Sequence, residues 1–367
     1  MTDRTLKVLI VDDSALYRQT IATALRDIPS IDVVGTAENG QQAIEKIRAI
    51  QPDILTLDVE MPVMNGIETL RVINQQGLPA RAIMVSTLTQ AGAKVTLDAL
   101  MEGAFDFIEK PTGGLVESRN CLRSALCEKL SAFRQYLDTR DVATDDKLAR
   151  MPVSLPQREL DQSCNQTSIT GRICEAVLIG LSTGGPKALN HVVPRLDAEF
   201  PVPVIVVQHM PAAYTKLMAD RLNGVSELNV VEAQAGLRIE RGNVYLARGG
   251  QHLDLVVRNG NVHCGLTMDP PINACRPAVD YTFGRAIDAW GGNLLGVIMT
   301  GMGKDGLEAC QRLHEQGGTV FAQDAATSAV YGMPKAVADA GIVDRSIPLG
   351  RIAPAITRHV HRNPSSS

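Results

Sequence analysis

"KVLIVDD" occupies residues 7–13. An apolar run, Val8 to Val11, stops abruptly at two carboxylates, Asp12 and Asp13. The run reads as a strand, and the acids fall where that strand ends. Similar runs follow at "IDVVGTA" (31–37), "DILTLDV" (53–59), "RAIMVST" (81–87) and "FDFIEKP" (105–111). Between them lie stretches of helical periodicity, such as "SALYRQTIATALRDI" (14–28) and "NGQQAIEKIRAI" (39–50). Strands alternating with helices imply a doubly wound parallel α/β sheet of the flavodoxin-like kind. A last helix follows, with Leu122, Leu126, Leu130, Phe133 and Leu137 on one face.

The composition then shifts. Residues 138–172 are polar, with scattered proline and little apolar periodicity. That is too long for a loop inside a compact domain, so it reads as a linker. From residue 173 the alternation resumes, at "CEAVLIGLS" (174–182), "VPVIVVQHM" (202–210), "LNVVEA" (228–233), "NVYLARGG" (243–250), "LLGVIMTG" (294–301) and "TVFAQD" (319–324). "HLDLVVRNGNVHCGL" (252–266) reads as a hairpin turning at Asn259-Gly260. The expected organisation is a domain over 1–137, a linker over 138–172, a second mostly parallel α/β domain with a β-hairpin over 173–360, and a disordered tail over 361–367.

Two domains suit a chain of 367 residues. Hydrophobic residues make up 45% and charged residues 21%, as in a soluble globular protein. The net charge of -4 and the absence of a long basic run give no reason to expect nucleic-acid binding. The longest apolar stretches are too short to span a bilayer, and "MTDRTLKVLIVDD" lacks a signal peptide's apolar core. The expected location is cytoplasmic. The seven cysteines are scattered and form no CxxC pair, so they read as reduced structural thiols. No histidine–cysteine cluster has zinc-ligand spacing along the chain.

In the first domain, polar residues collect at strand ends: Asp12 and Asp13, Asp58, Ser86 and Lys110. In an open parallel sheet those ends form the ligand edge. Each acid alone could simply cap a following helix. Five polar residues at four strand ends argue for more. Clustered carboxylates repel unless a cation joins them, and oxygen-only ligands suit Mg²⁺. A carboxylate there can also accept a phosphoryl group, stabilised by the metal and Lys110.

The second domain offers a nucleophile and a base. "IGLSTGGP" (179–186) places Ser182 on a tight strand-to-helix turn and reads G-x-S-x-G. Taken alone, Ser182 could equally be a helix N-cap. "VPVIVVQHM" places His209 just past an apolar strand, where a structural histidine is the competing reading. His252 and His263 flank the hairpin and are not excluded by sequence. "MTGMGKDG" (299–306) sets Gly301, Gly303 and Gly306 at dinucleotide-fingerprint spacing, with Asp324 as a possible ribose acid. Asp305 argues against that reading, because a carboxylate at the helix N-terminus would repel a pyrophosphate. The same site keeps a carboxylate ionised, as a histidine orienter requires. The Walker pattern fails at Ile298 and Asp305. Ser182, His209 and Asp305 thus each follow a different strand at one sheet edge. Main-chain N–H groups near Ser182, at Thr183 and Gly184, and around Gly301–Gly303 are candidate oxyanion donors.

Two resemblances sharpen these expectations. "VDD" (11–13), "LDVEMPVMNG" (57–66), "VST" (85–87) and "EKP" (109–111) resemble the receiver domain of bacterial response regulators. The resemblance implies Asp58 as phosphoacceptor, with Mg²⁺ on Asp13, Asp58 and the Glu60 carbonyl, and Asp12 helping through water. It implies Ser86 as switch hydroxyl, Phe107 as switch aromatic, and Lys110 at the phosphoryl group, before a Pro111 bond often cis in that family. "IGLSTGGP", "VVQHMP", "CGLTMDPPINACRPAVD", "MTGMGKDG" and "AQDAATSAVYGMP" resemble the catalytic domain of chemotaxis protein-glutamate methylesterases. That family hydrolyses γ-glutamyl methyl esters on chemoreceptor cytoplasmic domains, and many members deamidate receptor glutamines. The resemblance implies a triad of Ser182, His209 and Asp305, Met302 beside the oxyanion site, and no cofactor for the esterase chemistry. A sensor histidine kinase would be the phosphodonor. Neither nucleic acid nor membrane insertion is expected, and nothing demands more than a monomer. A phosphorylation-gated binding module, or the same chemistry in a non-motility array, is the alternative.

Overall fold

The computed structural model describes residues 5–87, 89–111, 115–148 and 174–361. In the N-terminal part, strands β1 (Leu6–Val11), β2 (Ile31–Ala37), β3 (Ile54–Asp58), β4 (Arg81–Ser86) and β5 (Asp106–Glu109) pair in parallel. Their order, β2-β1-β3-β4-β5, is the flavodoxin-like order. Helices α1 (Ala15–Arg26), α2 (Gly40–Ile50), α3 (Gly66–Gln75) and α4 (Gln90–Glu102) connect them. Each starts where the sequence supplies a polar cap: Ser14, Asn39, Asn65 and Thr89 accept from first-turn amides. Helix α5 (Leu115–Leu148) buries Leu122, Leu126, Leu130 and Phe133, as its apolar face requires. It continues past the boundary expected at 137, so the first part of the expected linker is helical. Residues 149–173 and 362–367, which hold the rest of that linker and most of the expected tail, lie outside the described residues.

The C-terminal part is built on β6 (Ala176–Leu181), β7 (Val204–Gln208), β8 (Asn229–Glu232), β9 (Asn243–Leu246), β12 (Leu294–Ile298), β13 (Thr319–Gln323) and β14 (Arg345–Ile347). All pair in parallel in the order β14-β13-β12-β6-β7-β9-β8. The three-residue β14 is an edge strand too short to read from the sequence. Strands β10 (His252–Arg258) and β11 (Asn261–Thr267) form the separate antiparallel hairpin. Its turn has positive φ at Asn259 (49°) and Gly260 (75°), the geometry of a type I′ turn. Helices α6 (Gly185–Val192), α7 (Ala212–Asn223), α8 (Val279–Trp290), α9 (Leu307–Glu315), α10 (Met333–Asp339) and α11 (Leu349–Val360) complete the fold. No helix among the described residues is long and apolar enough to cross a membrane.

The two parts pack directly on each other. Helix α4 lies against α6 and α7, and Leu97 and Leu100 share one buried cluster with Tyr214 and Met218. A second cluster joins Phe105, Leu122 and Leu126 to Val330, with Met302 packed against it.

Candidate active site and its receiver

Parallel pairing decides how the chemistry assembles. Leu181 is in register with Gln208, so Ser182 and His209 follow adjacent strand ends. Gly180 is in register with Ile298, which brings Thr300 beside Ser182. Three bonds fix this edge: Ser182 N–H donates to Thr300 O (3.0 Å), His209 N–H to Leu181 O (3.1 Å), and Gln208 Nε2 to Ser182 O (3.0 Å). Gly301 must be glycine, because a Cβ there would lie 2.8 Å from Ser182 Cβ and 2.4 Å from Met333 Sδ.

Ser182 is not a helix cap. Gly184, in the left-handed region at φ 78°, occupies the N-cap position of α6. Its glycine also relaxes the turn, since Ser182 is not among the positive-φ residues. The G-x-S-x-G pattern therefore makes no strained elbow here. Of the candidate oxyanion donors, the Gly301 amide is taken by Val330 O at 3.0 Å. Thr183 is buried and its hydroxyl donates to Asp106 Oδ2 at 2.6 Å, across to the N-terminal part.

His209 Nε2 lies 2.7 Å from Asp305 Oδ2. Asp305 is buried and its carboxylate also accepts from Val279 N–H (2.6 Å), Asp280 N–H (3.1 Å) and Asn273 Nδ2 (3.0 Å). The amides of Val279 and Asp280 open α8. Asp305 thus sits at the N-terminus of α8, not of α9, the helix that follows it in sequence. Asp280 does the converse, accepting from Ala309 N–H of α9 at 2.9 Å. Burial favours the neutral acid at Asp305, but His209 and the two amides outweigh it and hold its pKa below the usual range. Burial also works against charge on His209. Its contacts with Asp305 and Cys275 prevail and raise its pKa to about 9. The dinucleotide reading fails on the same geometry: at the start of α9, the helix that the glycine pattern precedes, the Asp280 carboxylate already accepts from the Ala309 amide.

Of the two histidines that flank the hairpin, His252 resolves as structural. His252 is buried, accepts at Nδ1 from Ala278 N–H (3.3 Å), faces Pro270 O with Nε2 (3.1 Å) and stacks on Tyr281. Sequence spacing missed one neighbour of the site altogether. Cys275 Sγ lies 3.4 Å from His209 Nδ1, although 66 residues separate them in the chain.

At the other sheet edge, Asp12, Asp13 and Asp58 present oxygens within 4.8 Å of one another. Lys110 Nζ bridges Asp12 (2.9 Å) and Asp58 (2.8 Å). Burial lifts the Asp58 pKa to about 6, against the pull of Lys110. One lysine against three acids leaves excess negative charge in an all-oxygen donor set, which fits Mg²⁺. Asp13, Asp58, Glu60, Ser86 and Lys110 line a pocket of about 270 Å³. Among the described residues the cis peptide is Arg276–Pro277, not Lys110–Pro111.

Between the two edges stands Tyr214 of α7. Its ring centroid lies 4.5 Å from that of Phe107, it is fully buried, and its hydroxyl neighbours Ser86 and Thr96. Arg221 of α7 pairs with Asp98 of α4. No sequence signal marks Tyr214, because a partner residue in another domain carries no spacing rule.

Comparison with known proteins follows this division. A family model described as CheB methylesterase matches residues 177–356, and one described as response regulator receiver domain matches residues 8–117. The chain is 41% identical over 354 residues to a Thermotoga maritima protein named protein-glutamate methylesterase/protein-glutamine glutaminase, covering 96% of this chain and 98% of that one. A Desulfotalea psychrophila protein of the same name is 40% identical, covering 97% of this chain and 99% of its own. The crystal structure of the T. maritima CheB methylesterase catalytic domain is 42% identical, with a TM-score of 0.50, over 52% of this chain and 100% of that one.

Proposed function

The chain belongs to the CheB methylesterase family and carries a response regulator receiver domain ahead of the methylesterase domain, and from that premise we propose that it is a phosphorylation-activated, cytoplasmic protein-glutamate methylesterase. Its substrates are γ-glutamyl methyl esters on chemoreceptor cytoplasmic domains, with glutamine side chains as further substrates. The carrying observation is the register that sets Ser182 beside His209, together with the 2.7 Å bond from His209 to Asp305.

In this reading Ser182 Oγ attacks the ester carbonyl. Asp305 holds Nε2–H, so Nδ1 is the nitrogen left to take the Ser182 proton. The amides of Thr183, Gly184, Met302 and Gly303 are the donors left for the developing oxyanion. The imidazolium, stabilised by Asp305, returns its proton to the departing methoxide. Water then attacks the acyl-enzyme, with His209 again as base, and releases glutamate.

Asp58 accepts a phosphoryl group from a sensor histidine kinase. Asp13, Asp58 and the Glu60 carbonyl, with Asp12 behind them, would hold Mg²⁺, which would supply positive charge against the transferring group. Lys110 contacts the phosphoryl oxygens. Ser86 turns toward them, and Phe107 follows. Both movements withdraw the walls around Tyr214. That weakens a contact which, with Met302 and Thr183 packed against the receiver, covers the Ser182 edge.

The test is methanol release from a methylated chemoreceptor domain by wild type, Ser182→Ala and Asp58→Ala, with and without a small phosphodonor and Mg²⁺. Release lost in Ser182→Ala, and stimulated only when Asp58 is present, is the expected pattern. No release from phosphorylated wild type would refute the substrate. Release that survives Ser182→Ala would refute the nucleophile.

A further inference from the structure

The loop before α8 holds a thiol against the histidine of the triad. Asn273 and Ala274 both have positive φ, 51° and 60°. Ile272 and Cys275 exchange both backbone hydrogen bonds, at 3.2 and 2.8 Å. This is a tight turn of the I′ type, with alanine in a conformation that L-residues avoid. Asn273 ties the turn down by donating to Asp305 and Asp280, each at 3.0 Å. The outcome is a Cys275 Sγ fixed 3.4 Å from His209 Nδ1 and half-exposed to solvent. A backbone strained in order to place one side chain points to a use for that side chain.

We infer that His209 Nδ1 and Cys275 Sγ form an inhibitory site for a thiophilic divalent cation of the Zn²⁺ class. Tetrahedral zinc with Zn–N near 2.0 Å and Zn–S near 2.3 Å sets its nitrogen and sulfur ligands about 3.5 Å apart. The observed separation matches that bite without movement. The far side of the ring is also built for a metal. Asp305 accepts from Nε2, the carboxylate–histidine arrangement that fixes the tautomer and raises the basicity of a ligating nitrogen. Binding releases the Cys275 thiol proton and, where His209 is imidazolium, the Nδ1 proton to solvent, uses the Nδ1 lone pair so freed and leaves Nε2–H on Asp305. Cation, thiolate and carboxylate then sum to zero charge. The two protein ligands leave two positions for water, so binding is reversible. The three-acid receiver cluster offers only oxygen and prefers Mg²⁺, so the two sites select different metals.

The metal occupies the nitrogen that takes the serine proton. Inhibition therefore rests on the catalytic reading of His209, whereas binding does not. The experiment uses the full chain with Cys121, Cys127 and Cys164 changed to serine, in excess Mg²⁺. Co²⁺ is titrated and the thiolate-to-cobalt charge-transfer band recorded; Zn²⁺ is then added as competitor. One band per chain is expected, displaced by Zn²⁺ and lost in Cys275→Ser. Methanol release is read with Zn²⁺ and with chelator, each variant against itself. Zn²⁺ is expected to slow the parent by about tenfold or more near saturation, reversibly, and to leave Cys275→Ser unaffected. A band that persists in Cys275→Ser, or no band at all, overturns the site. A Cys275-dependent band without inhibition keeps the site but refutes Nδ1 as the base. Alkylation of Cys275 by iodoacetamide in the parent needs no variant: Zn²⁺ should protect it, and equal labelling with and without Zn²⁺ also overturns the site.

Discussion

Tyr214 is the residue through which the two domains should be uncoupled. It is 0% exposed, and its neighbours Phe107, Ser86 and Thr96 all belong to the receiver. An aromatic truncated to alanine in a packed interior loses about 3–5 kcal/mol. Here that loss falls on the closed arrangement, because opening removes the same neighbours. At 1.4 kcal/mol per tenfold, Tyr214→Ala weakens closure by about two to three and a half orders of magnitude. Unphosphorylated Tyr214→Ala should therefore release methanol close to the phosphorylated wild-type rate. Stimulation by phosphodonor should fall to near unity. Tyr214→Phe keeps the ring on Phe107 and removes a buried hydroxyl that makes no hydrogen bond. Closure should therefore hold, and its basal rate should stay at the wild-type value. Methanol release is measured with and without phosphodonor, and circular dichroism verifies folding. A folded Tyr214→Ala whose basal rate equals wild type would show that this contact does not hold the enzyme closed.

Arg221→Ala gives an informative contrast. Its pair with Asp98 is more than a third exposed on each side, so removing it should raise the basal rate less than about fivefold, in the same assay. Asp305→Asn should lower the turnover of phosphorylated enzyme by about 10⁴, because His209 then loses its tautomer and its counter-charge; pre-steady-state methanol release reads this. Against pH, kcat/KM should climb about tenfold per unit and level off where His209 deprotonates, at about 9. The contact with Asp305 raises that pKa and favours the protonated form, so the base gains strength only as pH rises. In Asp305→Asn the inflection should move to lower pH.

Most of the architecture could be read from residues alone. Apolar runs ending in polar residues located both sheets, and strand ends located Asp12, Asp58, Lys110, Ser182 and His209. What escaped was set by tertiary neighbours. By sequence Asp305 belongs to the helix that follows it, yet it serves α8, because the Asp280–Ala309 bond crosses it. By spacing alone Cys275 is one more structural thiol, since zinc-spacing rules look for ligands close in sequence, and here two loops meet across 66 residues. Thr183 was assigned only to the oxyanion region, and its hydroxyl turned out to reach Asp106 of the receiver. β14 and the continuation of α5 were missed because three residues and a polar helical stretch carry no apolar signal.

The wedge that Tyr214 makes between Ser86, Thr96 and Phe107 has a reciprocal effect. Coupling free energy acts equally in both directions between the sites it links. If phosphorylation of Asp58 favours release of Tyr214, then whatever stabilises the released catalytic domain must favour phosphorylated Asp58 by the same factor. A receptor segment bound over Ser182 would be such a ligand. Methylated receptor would then favour the phosphorylated state of the esterase, and substrate itself would become part of the signal that the receiver reports.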